Sequence, residues 1–346
     1  MGGGFATVGT GALAPGARED KGRGGFAVEV SHLSKRYGDV EAVKDVSFSV
    51  SRGEVFAFLG PNGAGKTTTI KMLCTLARPT GGTATVGGFD VQRQPKAVRR
   101  RIGLVFQEQT LDDQLTAEEN LRFHAVLYHV PRAEVDERID RVLRLVALAN
   151  RRGDLISTFS GGMARRLEIA RGMLHTPAVL FLDEPTIGLD PQTRALMWED
   201  VLRLRRDEGV TIFLTTHYMD EAEYADRIAI IDRGSIVALD TPDELKHLVE
   251  ADTVELTTAD DAQAAGRLSD AGFRVSQGEE ALVIFVQDGE TQVPRLIEVA
   301  GVPVRKVHVH RPTLDDVFLH FTGRQIREDH AERAMPMRMR AMARRR

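Results

Sequence analysis

The sequence predicts an α/β fold followed by a smaller α+β unit, and three observations lead to that prediction. A glycine-rich loop separates a short apolar strand from a helix in the first part of the chain. Further apolar strands then alternate with helical segments, which is typical of an α/β core. The C-terminal part follows the order β-α-β-β-α-β, which is that of a ferredoxin-like unit.

Composition and charge narrow the class of protein. The chain has 346 residues, of which 42% are hydrophobic, and this is enough for one large and one small domain. The net charge of -4 gives no overall reason to bind nucleic acid. The lone cysteine, Cys74, excludes a disulfide framework, and we expect it to be a buried core thiol. No run of about 18 apolar residues occurs, so the sequence predicts no membrane-spanning helix.

The chain divides into four predicted segments. Residues 1–25 are rich in glycine and are predicted to be a disordered tail. Residues 26–245 form the α/β domain, which opens with the alternating strands of an antiparallel β-subdomain and carries an inserted helical subdomain at about 107–175. Residues 251–323 form the C-terminal α+β unit, closed by a short helix in LDDVFLHFTG. Residues 324–346 are a basic tail, which is predicted to be solvated.

The glycine-rich loop reads GPNGAGKTT and follows the apolar strand VFAFL. A helix is predicted over residues 67–77, so the pattern G-x-x-x-x-G-K-[ST] occurs in the strand–loop–helix context in which it binds phosphates. Loop amides and the positive end of the helix converge there on a polyphosphate. Lys66 adds a charge for the β- and γ-phosphates, and the Thr67 hydroxyl is placed to ligate magnesium. The predicted phosphate-binding residues are Gly60, Pro61, Asn62, Gly63, Ala64, Gly65, Lys66, Thr67 and Thr68.

Two carboxylates follow a later apolar strand, VLFLD. Asp183 is the residue with which such a fold holds magnesium, in part through water. Glu184 comes one residue later, where a carboxylate can orient the attacking water or accept its proton. His217 follows the next apolar strand, so its imidazole is expected near the same sheet edge and a γ-phosphate. The predicted catalytic residues are Glu184, His217 and Lys66.

A second anion-binding helix start is predicted at Ser160, Gly161 and Gly162, in TFSGGMARRLEIARGML. It brings no lysine or magnesium ligand of its own, so it is half of a site. One full site and one half site in a chain indicate that two chains pair head to tail, each covering the nucleotide of the other. The helical segment upstream opens with a capping box, Thr116 with Glu119.

These motifs resemble those of the ATP-binding subunit of an ABC transporter, and the resemblance runs from about Phe26 to Thr241. GPNGAGKTT resembles the Walker A motif, VLFLDE the Walker B motif and FSGGM the family signature. Met163 is a departure, because the family usually has glutamine there. Since Ser160 and the two glycines after it are present, we expect activity to survive this departure.

Four further positions resemble family motifs. Gln107 in VFQEQ matches the Q-loop, Asp190 the D-loop and His217 the switch histidine, while Tyr37 matches the aromatic residue that stacks on adenine. The resemblance implies ATP and Mg²⁺ as ligands, and ATP binding that closes a dimer which hydrolysis reopens. The metal-site residues that it implies are Thr67, Gln107 and Asp183.

The segments LDEPTIGLDPQTR and RPTLDDVFLHFTGR narrow the resemblance to the daunorubicin/doxorubicin resistance branch, whose ATPase and membrane subunits are separate chains. The branch implies an ATP hydrolase that drives efflux of a drug-like, antibiotic or lipid-like compound through a separate polytopic permease. It also implies an ATPase homodimer located peripherally at the cytoplasmic face of the cell membrane. No specific nucleic acid is expected as a partner.

Two alternatives stay open from the sequence. One is a soluble ABC ATPase acting on DNA or ribosomes, and the basic tail is its main support. Against it, Lys66 and Ser160 are too close in sequence for a long coiled coil between them, and the chain has one ATPase core rather than a tandem pair. The other alternative is an importer subunit, against which the C-terminal unit and the branch likeness argue.

Overall fold

A computed structural model of the protein describes residues 25–249, 252–277 and 281–322. The two predicted tails, apart from Gly25, lie outside the described residues. Within the described residues the chain forms three sheets and the helices that cover these sheets.

The strands and helices are numbered in chain order. The strands are β1 (Phe26–Tyr37), β2 (Val40–Ser51), β3 (Val55–Leu59), β4 (Gly81–Val86), β5 (Phe89–Asp90), β6 (Ile102–Val105), β7 (Val179–Asp183), β8 (Thr211–Thr216), β9 (Arg227–Asp232), β10 (Ser235–Asp240), β11 (Asp252–Thr258), β12 (Arg274–Gln277), β13 (Leu282–Val286) and β14 (Val304–His310). The helices are α1 (Lys66–Leu73), α2 (Pro95–Arg101), α3 (Ala117–Leu127), α4 (Val135–Leu145), α5 (Gly161–Met173), α6 (Pro191–Glu208), α7 (Met219–Ala222), α8 (Pro242–His247), α9 (Asp261–Asp270), α10 (Gly289–Ala300) and α11 (Leu314–Thr322).

The central sheet has six strands in the order β10-β9-β3-β8-β7-β6. Its neighbours pair in parallel except β10, which is antiparallel to β9. Strands β3, β7 and β8 are buried along their whole length, as expected for parallel strands with both faces covered. Because the carboxyl ends of parallel strands meet at one edge, the residues after β3, β7 and β8 lie together.

The two faces of the central sheet belong to different cores. In β3, Val55, Ala57 and Leu59 join one core, whereas Phe56 and Phe58 join the other. Helices α3 to α6 contribute to the first core. Helices α3, α4 and α5, which follow β6 and precede β7 along the chain, pack on one another. The predicted capping box at the start of α3 is present.

The second core lies between the central sheet and an antiparallel sheet of order β2-β1-β4-β5. Phe48 of β2 stacks on Phe56 of β3 with ring centroids 5.4 Å apart. Cys74 is buried in this core, as predicted. Strand β2 of this sheet also contacts α1, the helix that follows the glycine-rich loop.

The third sheet has the order β12-β13-β11-β14 with antiparallel neighbours throughout. Helices α9 and α10 cover one face and enclose a separate small core that includes Val254, Ile284, Leu268 and Leu296. With the chain order β-α-β-β-α-β, this confirms the predicted ferredoxin-like arrangement.

The last helix differs from its prediction. The sequence predicts that α11 closes the C-terminal unit, but Leu314, Val317 and Phe318 are buried in the first core of the α/β domain, together with Leu245 of α8. Helix α11 also contacts β10. Its pattern of apolar residues gives it a buried face, but the surface that covers this face belongs to a distant part of the chain.

Candidate active site

The glycine-rich loop turns directly from β3 into α1. Gly65 has a φ of 111°, and a Cβ at this residue would lie 2.7 Å from the carbonyl oxygen of Ala42. No side chain caps α1, so its first N–H groups face the loop without an internal side-chain acceptor. The helix ends at Leu73, earlier than the predicted residue 77, because Thr75 takes a φ of 64°.

A cavity of about 730 Å³ opens above this loop, within the range for sites that bind small molecules. Most of the predicted phosphate-binding residues line it, together with Gln107 and Glu184, while Gly60 and Ala64 are buried in the loop itself. The predicted residues in its lining are Pro61, Asn62, Gly63, Gly65, Lys66, Thr67, Thr68, Gln107 and Glu184. Other lining residues are Val40, Glu41, Ala42, Lys44, Ile187 and Arg233.

The three predicted catalytic side chains lie together: Lys66 and Glu184 line this cavity, and His217 contacts Glu184 from outside its lining. Lys66 Nζ lies 3.2 Å from Glu184 Oε1, and His217 Nδ1 lies 3.3 Å from the same oxygen. Burial lowers the pKa of Lys66, although the charge of Glu184 opposes this shift. Burial also opposes ionisation of Glu184, but the neighbouring His217 ring and Lys66 charge outweigh it and lower the pKa of Glu184. Glu184 is therefore a carboxylate at neutral pH, ready to accept a hydrogen bond or a proton.

The backbone of Glu184 is unusual, with a φ of 47° in the left-handed region that non-glycine residues rarely occupy. Its N–H faces two acceptors on β8, the carbonyl oxygen of Thr215 at 3.2 Å and the Thr215 hydroxyl at 3.1 Å. The turn after β7 is thus held so that the carboxylate points into the cavity.

Thr67 and Asp183 are joined at the end of β7. The Thr67 hydroxyl donates to Asp183 Oδ1 at 3.2 Å, and the Thr215 hydroxyl donates to the same oxygen at 2.6 Å. A hydroxyl and a carboxylate are the hard oxygen ligands that Mg²⁺ prefers. The donor set therefore fits a magnesium ion, and Gln107 lines the same cavity.

The second helix start lies beside the start of α6. Ser160 Oγ caps α5 by accepting from the Met163 N–H at 3.3 Å, and Thr193 is the nearest neighbour of Gly162. Asp190 caps α6 by accepting from the Thr193 N–H at 2.9 Å. Within one chain, Ser160 to Gly162 do not line the 730 Å³ cavity, and their role as half of a site stays a prediction.

Comparisons with known proteins identify the family. The model of the ABC transporter family matches residues 43–187, and that of the ATP-binding protein DrrA1-3-like C-terminal domain matches residues 241–322. The chain is 41% identical over 320 residues to a daunorubicin resistance ATP-binding protein, DrrA2 of Streptomyces coeruleorubidus, covering 90% of this chain and 99% of the relative. The chain belongs to the ABC transporter family of ATP-binding proteins. Within that family it belongs to the DrrA-like branch.

Other ABC proteins agree with this assignment. The chain is 39% identical over 307 residues to the Nod factor export ATP-binding protein I of Ralstonia nicotianae, covering 87% of this chain and 95% of that relative. A solved dimer of the ATP-binding cassette MJ0796 with ADP and phosphate superposes with a TM-score of 0.56 and 26% identity, covering 62% of this chain and 98% of that one. As an ABC ATPase, the protein binds ATP and hydrolyses it to ADP and phosphate. Across the described ranges, no helix is both long and apolar enough to cross a bilayer.

Tyr37, the predicted adenine-stacking residue of this ABC protein, lies outside the cavity lining. Its side chain is 48% exposed at the end of β1, and Lys35 Nζ lies 4.7 Å from the centre of its ring. Val40, its partner across the β1–β2 turn, lines the cavity instead. Stacking of Tyr37 on adenine stays a prediction.

Sequence reasoning missed Glu221, a buried carboxylate on α7. It accepts hydrogen bonds from the hydroxyl groups of Thr186, after Glu184, and of Thr216, before His217. Burial raises the pKa of Glu221 to about 7. The side chain therefore bridges the segment after β7 and the end of β8, a contact between distant segments that no local pattern reveals.

Sequence reasoning also missed Arg165 on α5, which is buried against the residues after β7. The one sequence signal for it is the spacing of Arg165 and Glu168, which places opposite charges on one helix face.

A second cavity of about 600 Å³ lies between α1, α2 and α3. Its lining combines apolar side chains, among them Leu76, Leu127 and Tyr128, with several cations. His124 also lines it, and burial together with the nearby Arg171 charge lowers the pKa of His124 to about 4, so the ring is neutral at pH 7. The cations in the lining are Lys96, Arg99, Arg100 and Arg171.

Proposed function

We propose that the protein is the ATP-hydrolysing subunit of an exporter and drives efflux of a drug-like, antibiotic or lipid-like compound through a separate polytopic permease. The observation that carries the proposal is one full phosphate site and one half site in a chain whose relatives include resistance and export proteins. In this proposal the protein is a peripheral subunit at the cytoplasmic face of the cell membrane.

The catalytic roles follow from the contacts in the larger cavity. The loop amides and Lys66 bind the β- and γ-phosphates, and Lys66 then exchanges its contact with Glu184 for one with phosphate. Glu184 is thereby free to orient the attacking water and to accept its proton as the oxygen bonds to the γ-phosphorus and ADP leaves. In this proposal, His217, which contacts Glu184, and Gln107, which lines the cavity, sense the γ-phosphate.

Thr67, Asp183 and Gln107 are the residues that would hold Mg²⁺. The Thr67 hydroxyl and the Asp183 carboxylate already lie within hydrogen-bond distance of each other. When bound, the ion would neutralise charge on the phosphate oxygens. Thr215 helps by donating to Asp183, which keeps that carboxylate in its orientation.

Two chains pair head to tail in this proposal. Ser160, Gly161 and Gly162 of one chain cover the ATP of the other, because an anion-binding helix start that lacks a lysine and a metal ligand is useful only beside a site that has both. Asp190 lies next to this segment through Thr193 and belongs to the same interface. ATP stabilises the closed dimer, since it contacts both chains only in that state.

The permease docks at the cavity between α1, α2 and α3, next to the segment that carries Gln107. Arg99, Arg100 and Lys96 give this cavity a positive rim, and Leu76 and Leu127 add exposed apolar surface to it. A permease segment with an apolar anchor and acidic residues complements both features. Because Phe106, which also lines the cavity, directly precedes Gln107, docking and the ATP site share one short segment.

Affinity purification of a Glu184→Gln chain from detergent-solubilised native membranes tests the proposal. The variant should bind ATP, hydrolyse it at least ~100-fold more slowly than the wild type and remain in the closed dimer with ATP and magnesium. A polytopic membrane protein should then co-purify in stoichiometric amount.

An Arg100→Glu chain is the matched control, because Arg100 is exposed on the rim of the docking cavity. It should hydrolyse ATP at the wild-type rate but recover less of the membrane protein. Recovery of ribosomes or DNA without a membrane protein would contradict the exporter assignment, and equal recovery by both variants would contradict the docking cavity.

A further inference from the structure

Arg165 is buried at the point where α5 approaches the end of β7. Its side chain is only 7% exposed. Its Nε donates to the carbonyl oxygen of Pro185 at 2.7 Å, and its Nη2 donates to the carbonyl oxygens of Asp183 at 3.4 Å and Glu184 at 3.3 Å. One guanidinium therefore holds three consecutive carbonyl groups of the segment that carries both site carboxylates.

The remaining donors of Arg165 contact two other partners. Its Nη1 donates to Glu168 Oε2 at 2.8 Å and to the carbonyl oxygen of Phe106. The five N–H groups of an arginine side chain are thus matched by five acceptors. A buried charge with a paired carboxylate and a full set of acceptors is tolerated, whereas removal of any partner leaves it undersatisfied.

The segment that contains Gln107 is held at both ends by α5. Phe106 accepts from Arg165 at one end, and Thr110 is bound at the other. Glu168 Oε1 accepts from the Thr110 N–H at 2.8 Å, and Arg171 Nη1 donates to the Thr110 carbonyl oxygen at 3.0 Å. The three α5 side chains follow one another at intervals of three residues, so they project from one helix face.

The backbone of Glu184 is fixed on both sides of its Cα. Thr215 accepts from its N–H, and Arg165 donates to its carbonyl oxygen. Since Glu184 has a φ of 47°, its conformation is unfavourable on its own and persists only while neighbours hold it. The Ile187 N–H also donates to the Glu184 carbonyl oxygen, at 3.3 Å. Of the three holding residues, Arg165 is the one located on the helix that begins with the signature.

We propose that Arg165 is a positioning residue for ATP hydrolysis, which holds the backbone of Glu184 and ties it to the segment of Gln107 and to the signature helix. The proposal rests on the role proposed above for Glu184. Arg165 is not among the residues that line the cavity, so it acts through the backbone segments that it holds, and we assign its effect on the rate to its contact with Glu184. Loss of Arg165 should lower the rate of the chemical step and leave ATP binding intact.

The test is a double-mutant cycle on the full chain. Arg165→Gln and Arg165→Lys are each made in the wild-type and in the Glu184→Gln background, and kcat, the Kd for ATP and the melting temperature are measured. In the wild-type background kcat should fall ~10- to 100-fold while the Kd for ATP changes less than about twofold. In the Glu184→Gln background the same replacement should lower the residual rate by less than about twofold, because the group that it positions is already inactive.

Arg141→Gln is the matched control. Arg141 lies on α4 and pairs with Glu208 at the end of α6, with its Nη1 3.1 Å from Glu208 Oε2. Its loss should lower the melting temperature and leave kcat unchanged. If Arg165→Gln does not fold, Arg165→Lys gives the same comparison, since lysine keeps the charge and reaches only some of the acceptors.

Each outcome decides between the roles. An equal loss of rate in both backgrounds would show that Arg165 acts independently of Glu184 and would overturn the proposal. A lower melting temperature with wild-type kcat, as in Arg141→Gln, would reduce Arg165 to a structural residue. Wild-type turnover by Glu184→Gln alone would instead contradict the role proposed for Glu184. Because Arg165 is unchanged in that variant, this result tests Glu184 separately from Arg165.

Discussion

Helices α1 and α5 each begin beside glycines, and the function proposed above places a phosphate at each of these two helix starts. At α1 no side chain caps the helix, and Lys66, Glu184 and His217 surround the opening. At α5 the Ser160 hydroxyl caps the helix from within, and the neighbours of its glycines are Leu189 and Thr193. A helix dipole attracts an anion but supplies no metal ligand, base or mobile charge. Only the first start has the groups for hydrolysis.

Mixing two inactive variants tests most directly whether the starts of α1 and α5 have different roles in one shared site. Lys66→Ala removes the full site and Ser160→Arg blocks the half site, so each pure variant should lose at least ~100-fold in ATP turnover. In an equal mixture, half of the dimers combine one chain of each kind and hold one site with intact Lys66 and intact Ser160. Turnover should therefore rise to as much as about a quarter of the wild-type rate. Turnover that stays at the level of the pure variants, although mixed dimers form, would contradict head-to-tail pairing.

The pH dependence of stability tests the link between the two helix starts. Glu221 accepts a hydrogen bond from Thr186, which lies in the same segment as Asp190 near the start of α5. It accepts another from Thr216, next to His217 near the start of α1. Its pKa is raised to about 7, so between about pH 4.5 and 7 the folded chain binds more protons at this site than the unfolded chain does. The free energy of unfolding should fall by up to roughly 3 kcal/mol as the pH rises through this window, and this stability is fully present only below it.

Glu221→Gln cannot ionise, so its melting temperature relative to the wild type should be higher at pH 8 than at pH 5. The carboxylate faces Arg194 and His217, which favour its ionised form, and Asp220, which disfavours it. Thermal unfolding at both pH values measures the difference. The same pH profile for variant and wild type would mean that Glu221 does not titrate in this range.

The start of α3 is a control for the other two helix starts, because it carries a capping box and no ligand is proposed to bind there. The Thr116 hydroxyl accepts from the Glu119 N–H at 3.2 Å, and Glu119 Oε2 accepts from the Thr116 N–H at 2.8 Å. Thr116→Ala should lower the free energy of unfolding by about 1 kcal/mol and leave ATP turnover unchanged. Chemical denaturation and an ATPase assay check both parts. A loss of turnover would show that capping at a helix start is enough to affect catalysis, and the Ser160→Arg result would then need the same explanation.

Much of the ATP site was predictable because its residues are close in sequence. The residues from Gly60 to Thr68 form one loop, and Asp183 and Glu184 end one strand, so spacing alone locates them. Arg165 was not predictable in this way. Helix α5 is buried on most of its surface, so the apolar pattern does not tell which of Arg165 and Arg166 points inward.

The missed contacts join segments that are distant along the chain. Glu221 meets Thr186 only because β7 and β8 are neighbours, and α11 finds Leu245 only after an entire sheet has intervened. Tyr37 shows a different limit of prediction from sequence. A match to a motif position does not determine the direction of a side chain at the end of a strand. Local patterns thus predict elements and loops, whereas tertiary packing decides which buried polar groups meet.

Because α11 packs on the ATPase core again, the small sheet is an insertion in the chain of that core rather than a C-terminal extension. The chain leaves the ATPase core at α8, builds the sheet, and comes back to pack α11 on α8 and β10. The two ends of the inserted segment therefore lie close together. A stop codon before Leu314 would remove part of the interior of the ATPase itself.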